Sequence, residues 1–358
     1  SLAELAEAYT YSAYGEPASY AASFGGATLY SAAYVRDDLG RIVDKTETLE
    51  GVTTLYGYAY DLAGRLIEVT IDGVLSSAYA YDDNGNRLTH TTPGGTTVGS
   101  YDAQDRMLSY GELDFTYTEN GELETKTNVV TGRVTGYEYD VYGNLGRVTL
   151  PSGSVIEYVV DGENRRVLKK VDGVVLKGWL YRDDLRPIAE LDAGGAVVAR
   201  FVYALGRNVP DYLVKGGNAY RFVTDQLGSV RLVVDAGTGA VVQRLDYDAW
   251  GVVLGDSSPG FQPFGFAGGL YDAETGLVRF GARDYDPEVG RWTAKDPILF
   301  GGGDTDLYAY VLADPVNRRD PTGSFWWDLV IEVVRCLLDP DSCAGGSGDP
   351  SDDEPSSE

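Results

Sequence analysis

A chain of 358 residues carries 55 acidic against 29 basic side chains, a formal charge of −26. That balance excludes nucleic acid, whose phosphates demand a positive face, and it argues against anionic membrane surfaces. With a single histidine, His90, and only two cysteines, Cys336 and Cys343, both near the C-terminus, no zinc, haem or other cofactor is expected. A disulfide between those cysteines is geometrically allowed but could not staple the main body.

The length suits two or three ordinary domains or one large repeat architecture. Forty-six Gly and 27 Tyr stand against one Met, which fits many short strands punctuated by tight turns. No apolar run reaches the roughly 18 residues needed to span a bilayer. The start at Ser1, in mid-pattern and without Met, reads as a processed product or a fragment.

Residues 1–33 are rich in Ala, Tyr, Ser and Gly, and YTYSAYGEP and YAASFGGATLYSAAY read as strands of a degenerate repeat; only Leu2–Ala8 leaves room for helix. From Tyr34 a phrase recurs: YVRDDLGRI, YAYDLAGRL from Tyr58, YAYDDNGNRL from Tyr79 and YEYDVYGNLGRV from Tyr137. Weaker copies start at Ser100, Phe115, Tyr158, Tyr181 and Val223. Asp-x-x-Gly corners at Asp37, Asp61, Asp82, Asp140, Asp225 and Asp248 mark the period, 24 residues from Asp37 to Asp61 and 21 from Asp61 to Asp82. In each corner Asp accepts a backbone hydrogen bond two residues on, Gly takes the left-handed position, and the alternating flanks form a hairpin. One hairpin cannot bury its apolar face, so neighbours must stack into a single twisting sheet. DAGG at Asp192 and DAGTG at Asp235 are ordinary hairpin turns. His90, in LTHTTPGG, reads as a solvated loop residue. Gly301–Gly303 lacks the Lys-Ser/Thr of a phosphate loop.

The run from Pro263 to Gly323 is the densest in turn chemistry. It contains GRW at Gly290, Asp296-Pro297, the LYAYV block ending at Val311, Asp314-Pro315 and Asp320-Pro321. Beyond it, Trp326, Leu329 or Val330, Val333 and Leu337 recur at helical spacing, predicting an apolar helix over 324–339 that ends at Asp339-Pro340. Residues 340–358 are acidic and rich in Gly, Ser and Pro, the composition of a disordered tail.

The repeated phrases resemble the tyrosine-aspartate (YD) repeats of the Rhs family, and Pro263–Gly323 resembles the Rhs-repeat-associated core domain of bacterial Rhs polymorphic toxins, of the C component of insecticidal toxin complexes and, more distantly, of teneurins. The resemblance covers about Tyr34 to Gly323. It implies an all-β fold: a spiralling antiparallel YD-repeat sheet forming a shell or open barrel over 1–262, with 263–323 folded inward as a core plug. It also implies an internal aspartyl protease built from Asp296 and Asp320. Two carboxylates sharing a proton could activate a water and protonate the scissile amide, cutting between Ser324 and Phe325. Two departures from the family pattern stand out, Leu299 where Gly is usual and Ser324 after Gly323. Arg291 and Arg319 are candidate partners that would hold one carboxylate charged; as plain residues they would equally serve surface or repeat-stacking salt bridges, and both Asp-Pro pairs could be simple turns.

Only 35 residues follow Gly323, too few for an enzymatic domain, so the expected cargo or plug is the chain's own C-terminal segment. The expected setting is secreted or cell-surface. Expected partners are a second shell-forming chain or surface glycans, with no nucleic acid and no transmembrane segment. The competing readings are a self-cleaving toxin shell, a structural surface protein with an inactive core, and a glycan-binding module.

Overall fold

Each Asp-x-x-Gly corner folds by the same few bonds. At Asp61, Oδ1 accepts the N–H groups of Ala63 and Arg65, both at 2.9 Å, and Oδ2 accepts Arg65 Nε at 2.6 Å. Gly64 sits at φ +86°, a region that costs a side chain but not glycine. The same pair of Oδ1 bonds forms at Asp37, Asp82, Asp140, Asp225 and Asp248. Degenerate corners keep it too: Asp105 and Asn164 take the left-handed place after Asp102 and Asp161.

At several corners the preceding tyrosine ties one repeat to the previous one. Tyr60, Tyr81, Tyr101, Tyr181 and Tyr203 donate their hydroxyls to the carbonyls of Ile42, Leu66, Arg87, Arg166 and Pro187, at 2.8, 2.7, 2.9, 2.9 and 2.9 Å. Arginines of one corner lie over the tyrosine ring of the next, Arg41 on Tyr60 at 4.7 Å and Arg65 on Tyr81 at 5.1 Å, adding a cation–π contact to the hydrogen bond. Tyr81→Phe is therefore expected to cost about 1 kcal/mol, read as a lower urea midpoint with an unchanged slope.

The computed structural model describes residues 5–204 and 208–324, with the backbone of Trp327–Asp328. Twenty-four described strands, from Leu5–Tyr11 to Val253–Asp256, form one sheet. They pair antiparallel in chain order throughout. Among the described residues no strand pairing closes the sheet on itself. It coils instead, as a twisted sheet of this many strands must, until distant strands meet through side chains. Glu7 reaches Arg221 at 2.7 Å, Glu47 reaches Arg231 at 2.8 Å, and Leu5, Tyr20 and Tyr30 pack on Val223, Leu232 and Val234.

Two local expectations are corrected. Leu5–Tyr11 is a strand paired with Pro17–Phe24, not helix; the pairing outweighs the helical preference of its alanines. His90 lies on the strand Arg87–Thr92, half-buried, stacked on Tyr79 at 4.7 Å and bonded to Ser77 Oγ at 3.1 Å. Burial, helped by the charge of Arg87, pulls its pKa down to about 4.

Residues 263–324 pack against side chains of the coiled sheet. A four-stranded sheet (Leu270–Tyr271, Val278–Phe280, Arg283–Asp286, Arg291–Trp292) carries a cluster of Phe266, Val278, Phe280, Tyr285, Trp292, Tyr310 and Val311. Its polar groups reach wall strands far apart in sequence. Asn317 Oδ1 accepts the Ile42 N–H at 2.8 Å, and Arg291 Nη1 donates to Asn86 Oδ1 at 3.0 Å. Tyr308 donates to the Gly121 carbonyl at 2.7 Å, Arg279 to Asn144 at 2.9 Å, and Arg166 pairs with Asp284 at 2.8 Å.

Among the described residues no helix is long and apolar enough to cross a membrane. The expected helix over 324–339, Cys336, Cys343 and the tail 340–358 lie outside the described residues, save Ser324 and the Trp327–Asp328 backbone. That backbone is extended and pairs antiparallel with Arg318–Arg319.

Candidate active site

The site is assembled around Arg283, on the strand Arg283–Asp286. Its guanidinium is buried and lies over the Trp292 ring at 4.2 Å, which fixes its plane and leaves its edges to donate. Nη2 reaches Asp296 Oδ2 at 2.7 Å and Asp320 Oδ2 at 3.4 Å, Nη1 reaches the Leu307 carbonyl at 3.1 Å, and Nε donates to the Gly323 carbonyl. One arginine thus holds two carboxylates 24 residues apart and the chain just beyond the second.

The remaining oxygens of the pair are held by short local turns. Asp296 Oδ1 accepts the Ile298 N–H at 2.9 Å. Asp320 Oδ1 accepts Thr322 Oγ1 at 3.0 Å and the Ser324 N–H at 3.2 Å. Glycines set the approach of the segments: a Cβ on Gly281 would lie 2.3 Å from the Thr322 carbonyl oxygen, and one on Gly323 2.2 Å from the Phe280 carbonyl oxygen. A Cβ on Gly302 would meet Asp296 Oδ2 at 2.7 Å and the Ser324 carbonyl oxygen at 2.9 Å. Asp296 Oδ2 and the Ser324 carbonyl oxygen thus both border the space that a side chain at 302 would fill.

A cavity of about 20 Å³ opens among Arg283, Asp296, Leu299, Gly302, Asp320 and Ser324, enough for a single water. Burial lifts Asp296 above the ordinary carboxylate range, with Arg283 opposing and the charge of Asp320 adding to the rise. Asp306 lines the same cavity, and burial pushes it up to about 6 against the pull of Arg291. Among the described residues no group of three or more His, Cys, Asp or Glu is arranged to hold a metal ion. Two carboxylates on one guanidinium, next to a peptide carbonyl and a one-water space, have the parts for general acid–base attack of water on that carbonyl.

Asp296 and Asp320, singled out from the sequence, are brought together, and Ser324 is beside them; Phe325 lies outside the described residues. Arg291 instead pairs with Asp306, another residue of the cavity lining, at 2.9 Å and donates to the Asp105 carbonyl of the wall at 2.7 Å. Arg319 Nη1 donates to the Leu227 carbonyl at 3.2 Å. The arginine on the pair is Arg283, which sequence reasoning passed over. Its one signal was being a cation in the aromatic run VRFGARDYDP, where burial requires a partner.

Asp-Gly hairpins stacked by tyrosine into an open coil, with an inward segment carrying paired acids, define a YD-repeat shell. The chain belongs to the teneurin YD-shell family, whose model matches residues 1–302. It is 32% identical to teneurin-3 of Danio rerio over 319 residues, covering 83% of this chain and 11% of that protein. With teneurin-1 of Gallus gallus it shares 30% over 307 residues, 82% of this chain and 11% of the relative. The tRNA3(Ser)-specific nuclease WapA of Bacillus spizizenii is 28% identical over 283 residues, 76% of this chain and 12% of the nuclease. The chain thus spans about a tenth of the length of these relatives. In fold it is similar to the crystal structure of TcdB2-TccC3-TEV, with a TM-score of 0.58 at 18% identity over 89% of this chain and 19% of that one.

Proposed function

We propose that this is the shell and core of a toxin-related, secreted or cell-surface YD-repeat protein that cuts itself between Ser324 and Phe325, with residues 1–262 as wall and 263–323 as core. Water in the small cavity adds to the Ser324 carbonyl carbon while Asp320 takes its proton. Asp296, in its acid form, donates to the carbonyl oxygen; Asp320 then passes its proton to the Phe325 nitrogen as the C–N bond breaks, and a hydroxyl of the adduct returns a proton to Asp296 as the Ser324 carboxyl group forms. Arg283 is a positioning residue, fixing both carboxyls and the Gly323 carbonyl. The single observation that supports this reading is that Asp296, Asp320 and Ser324 line one small cavity, with both carboxylates on the same guanidinium. Because the substrate is the chain itself, proximity supplies about 7–11 kcal/mol of the barrier. The C-terminal segment is the enclosed cargo or plug, and a further shell segment or chain completes the open coil.

Intact mass of the purified chain against time tests the cut. The pH dependence has a definite sign. Burial raises Asp296, so its acid form grows as pH falls, and the rate of cutting rises on going from neutral toward acid pH. A flat profile over that range counts against Asp296 as the acid.

A second reading is a structural surface protein, serving adhesion or glycan binding, with an inert core. The shared ion pair favours it, since an arginine that neutralises two buried carboxylates also locks a fold. In that case the chain keeps its full mass at every pH.

A further inference from the structure

From Pro263 to Ser324 nearly every large apolar side chain is buried; the exposed ones are three in a row, Ile298, Leu299 and Phe300, at 48, 53 and 68%. They form the short 3₁₀ turn that follows Asp296. Leu299 stands at φ +52°, the left-handed region where a side chain is strained and glycine is not. The turn has no freedom to relax. Its backbone is pinned by Ile298 N–H on the Asp296 carboxyl, by Leu299 N–H on the Asp296 carbonyl at 3.0 Å, and by Gly301 N–H on the Ile298 carbonyl at 3.0 Å. Beyond it Gly302 is wedged between Asp296 and the Ser324 carbonyl. A strained residue that persists in such surroundings is held there by them.

Leu299 also lines the one-water cavity beside Asp296 and Asp320. Half exposed and part of the cavity lining, Leu299 borders both solvent and that water site. We infer that Leu299 gates the water site, limiting room for the attacking water and thereby setting the rate of self-cleavage. The inference rests on the reading of Asp296 and Asp320 as a self-cleaving pair. A slow cut has a use: pairing 24 strands and folding the core onto wall strands far away in sequence is slow work, and a gated site leaves the chain whole until it is done.

The test uses the full chain, refolded from denaturant and followed by intact mass, with thermal unfolding of a matched Asp320→Asn background to read stability without cutting. Leu299→Gly removes the side chain and the strain, and is expected to cut about fivefold faster or more with a higher melting temperature. Leu299→Ala removes the side chain but keeps a Cβ at positive φ, so it should cut faster with no gain in melting temperature. Leu299→Phe should cut more slowly. The midpoints of the pH–rate profile should stay where they are in all three, since a gate changes the height of the profile and not the acids beneath it. Rates that stay at the parent value in both the Gly and Ala variants, or that only follow melting temperature, overturn the gate. If the parent cuts and Asp320→Asn does not, those results overturn the gate alone; if neither the parent nor Leu299→Gly cuts, it is the self-cleavage reading that falls.

Discussion

Asp320→Asn is expected to leave the purified chain at full mass, while the parent resolves into pieces 1–324 and 325–358. Asn keeps the shape of the side chain and its oxygen can still accept from Thr322 and Ser324. It removes the carboxylate that takes the proton from water in the proposed mechanism, on the guanidinium nitrogen it shares with Asp296. Loss of a general base costs about 10²–10⁴ in rate, so a cut completed in minutes by the parent should take from hours to weeks in the variant, which stays at full mass over the parent's time course. Asp296→Asn should do the same from the acid side. Folding should survive, because Arg283 keeps its closer contact with Asp296 at 2.7 Å. A variant that cuts at the parent's rate would remove Asp320 from the chemistry.

Arg283→Met should produce the largest loss of stability. The guanidinium and both carboxyl groups are buried, and removing the cation strands two negative charges with no compensation. Breaking a buried pair in this way costs about 3–5 kcal/mol, read as a fall in urea midpoint. The pH dependence distinguishes this cause from lost packing. With Arg283 gone, burial and mutual repulsion raise the folded-state pKa of the pair above the unfolded value. The penalty is then full at neutral pH and shrinks as pH falls and the pair takes up protons. A packing defect would cost the same at both. Arg283→Lys keeps the charge but lacks the fork that reaches Asp296, Asp320 and two carbonyls together, so it should recover stability better than cutting.

What could be read from the sequence was what is local. An Asp that bonds its own neighbours two and four residues on, and a glycine at positive φ, are decided within one corner, so Asp61–Gly64 and its copies announce their hairpins. The tyrosine between strand and corner showed its place but not its work. The bond from Tyr81 to the Leu66 carbonyl joins successive repeats and exists only once they stack. Asp296 and Asp320 were legible through their motif, whereas Arg283 was not, because its partners lie 13 and 37 residues away and meet it only after the core folds. Arg291, in the conspicuous GRW, attracted attention that belonged to its less conspicuous neighbour. His90 misled for a related reason: its threonine-rich surroundings look like a loop, and the Tyr79 ring that covers it comes from the preceding strand.

The inward segment has a mechanical consequence. A ribbon in which each strand leans only on the strands beside it should fray from either end, one hairpin at a time. Here single side chains of the segment, Asn317, Arg291, Tyr308 and Arg279, hold Ile42, Asn86, Gly121 and Asn144 at once, like a spoke set tightening a rim. Pulling or heating such an object meets resistance at every spoke together, so the unit of failure becomes the whole wheel.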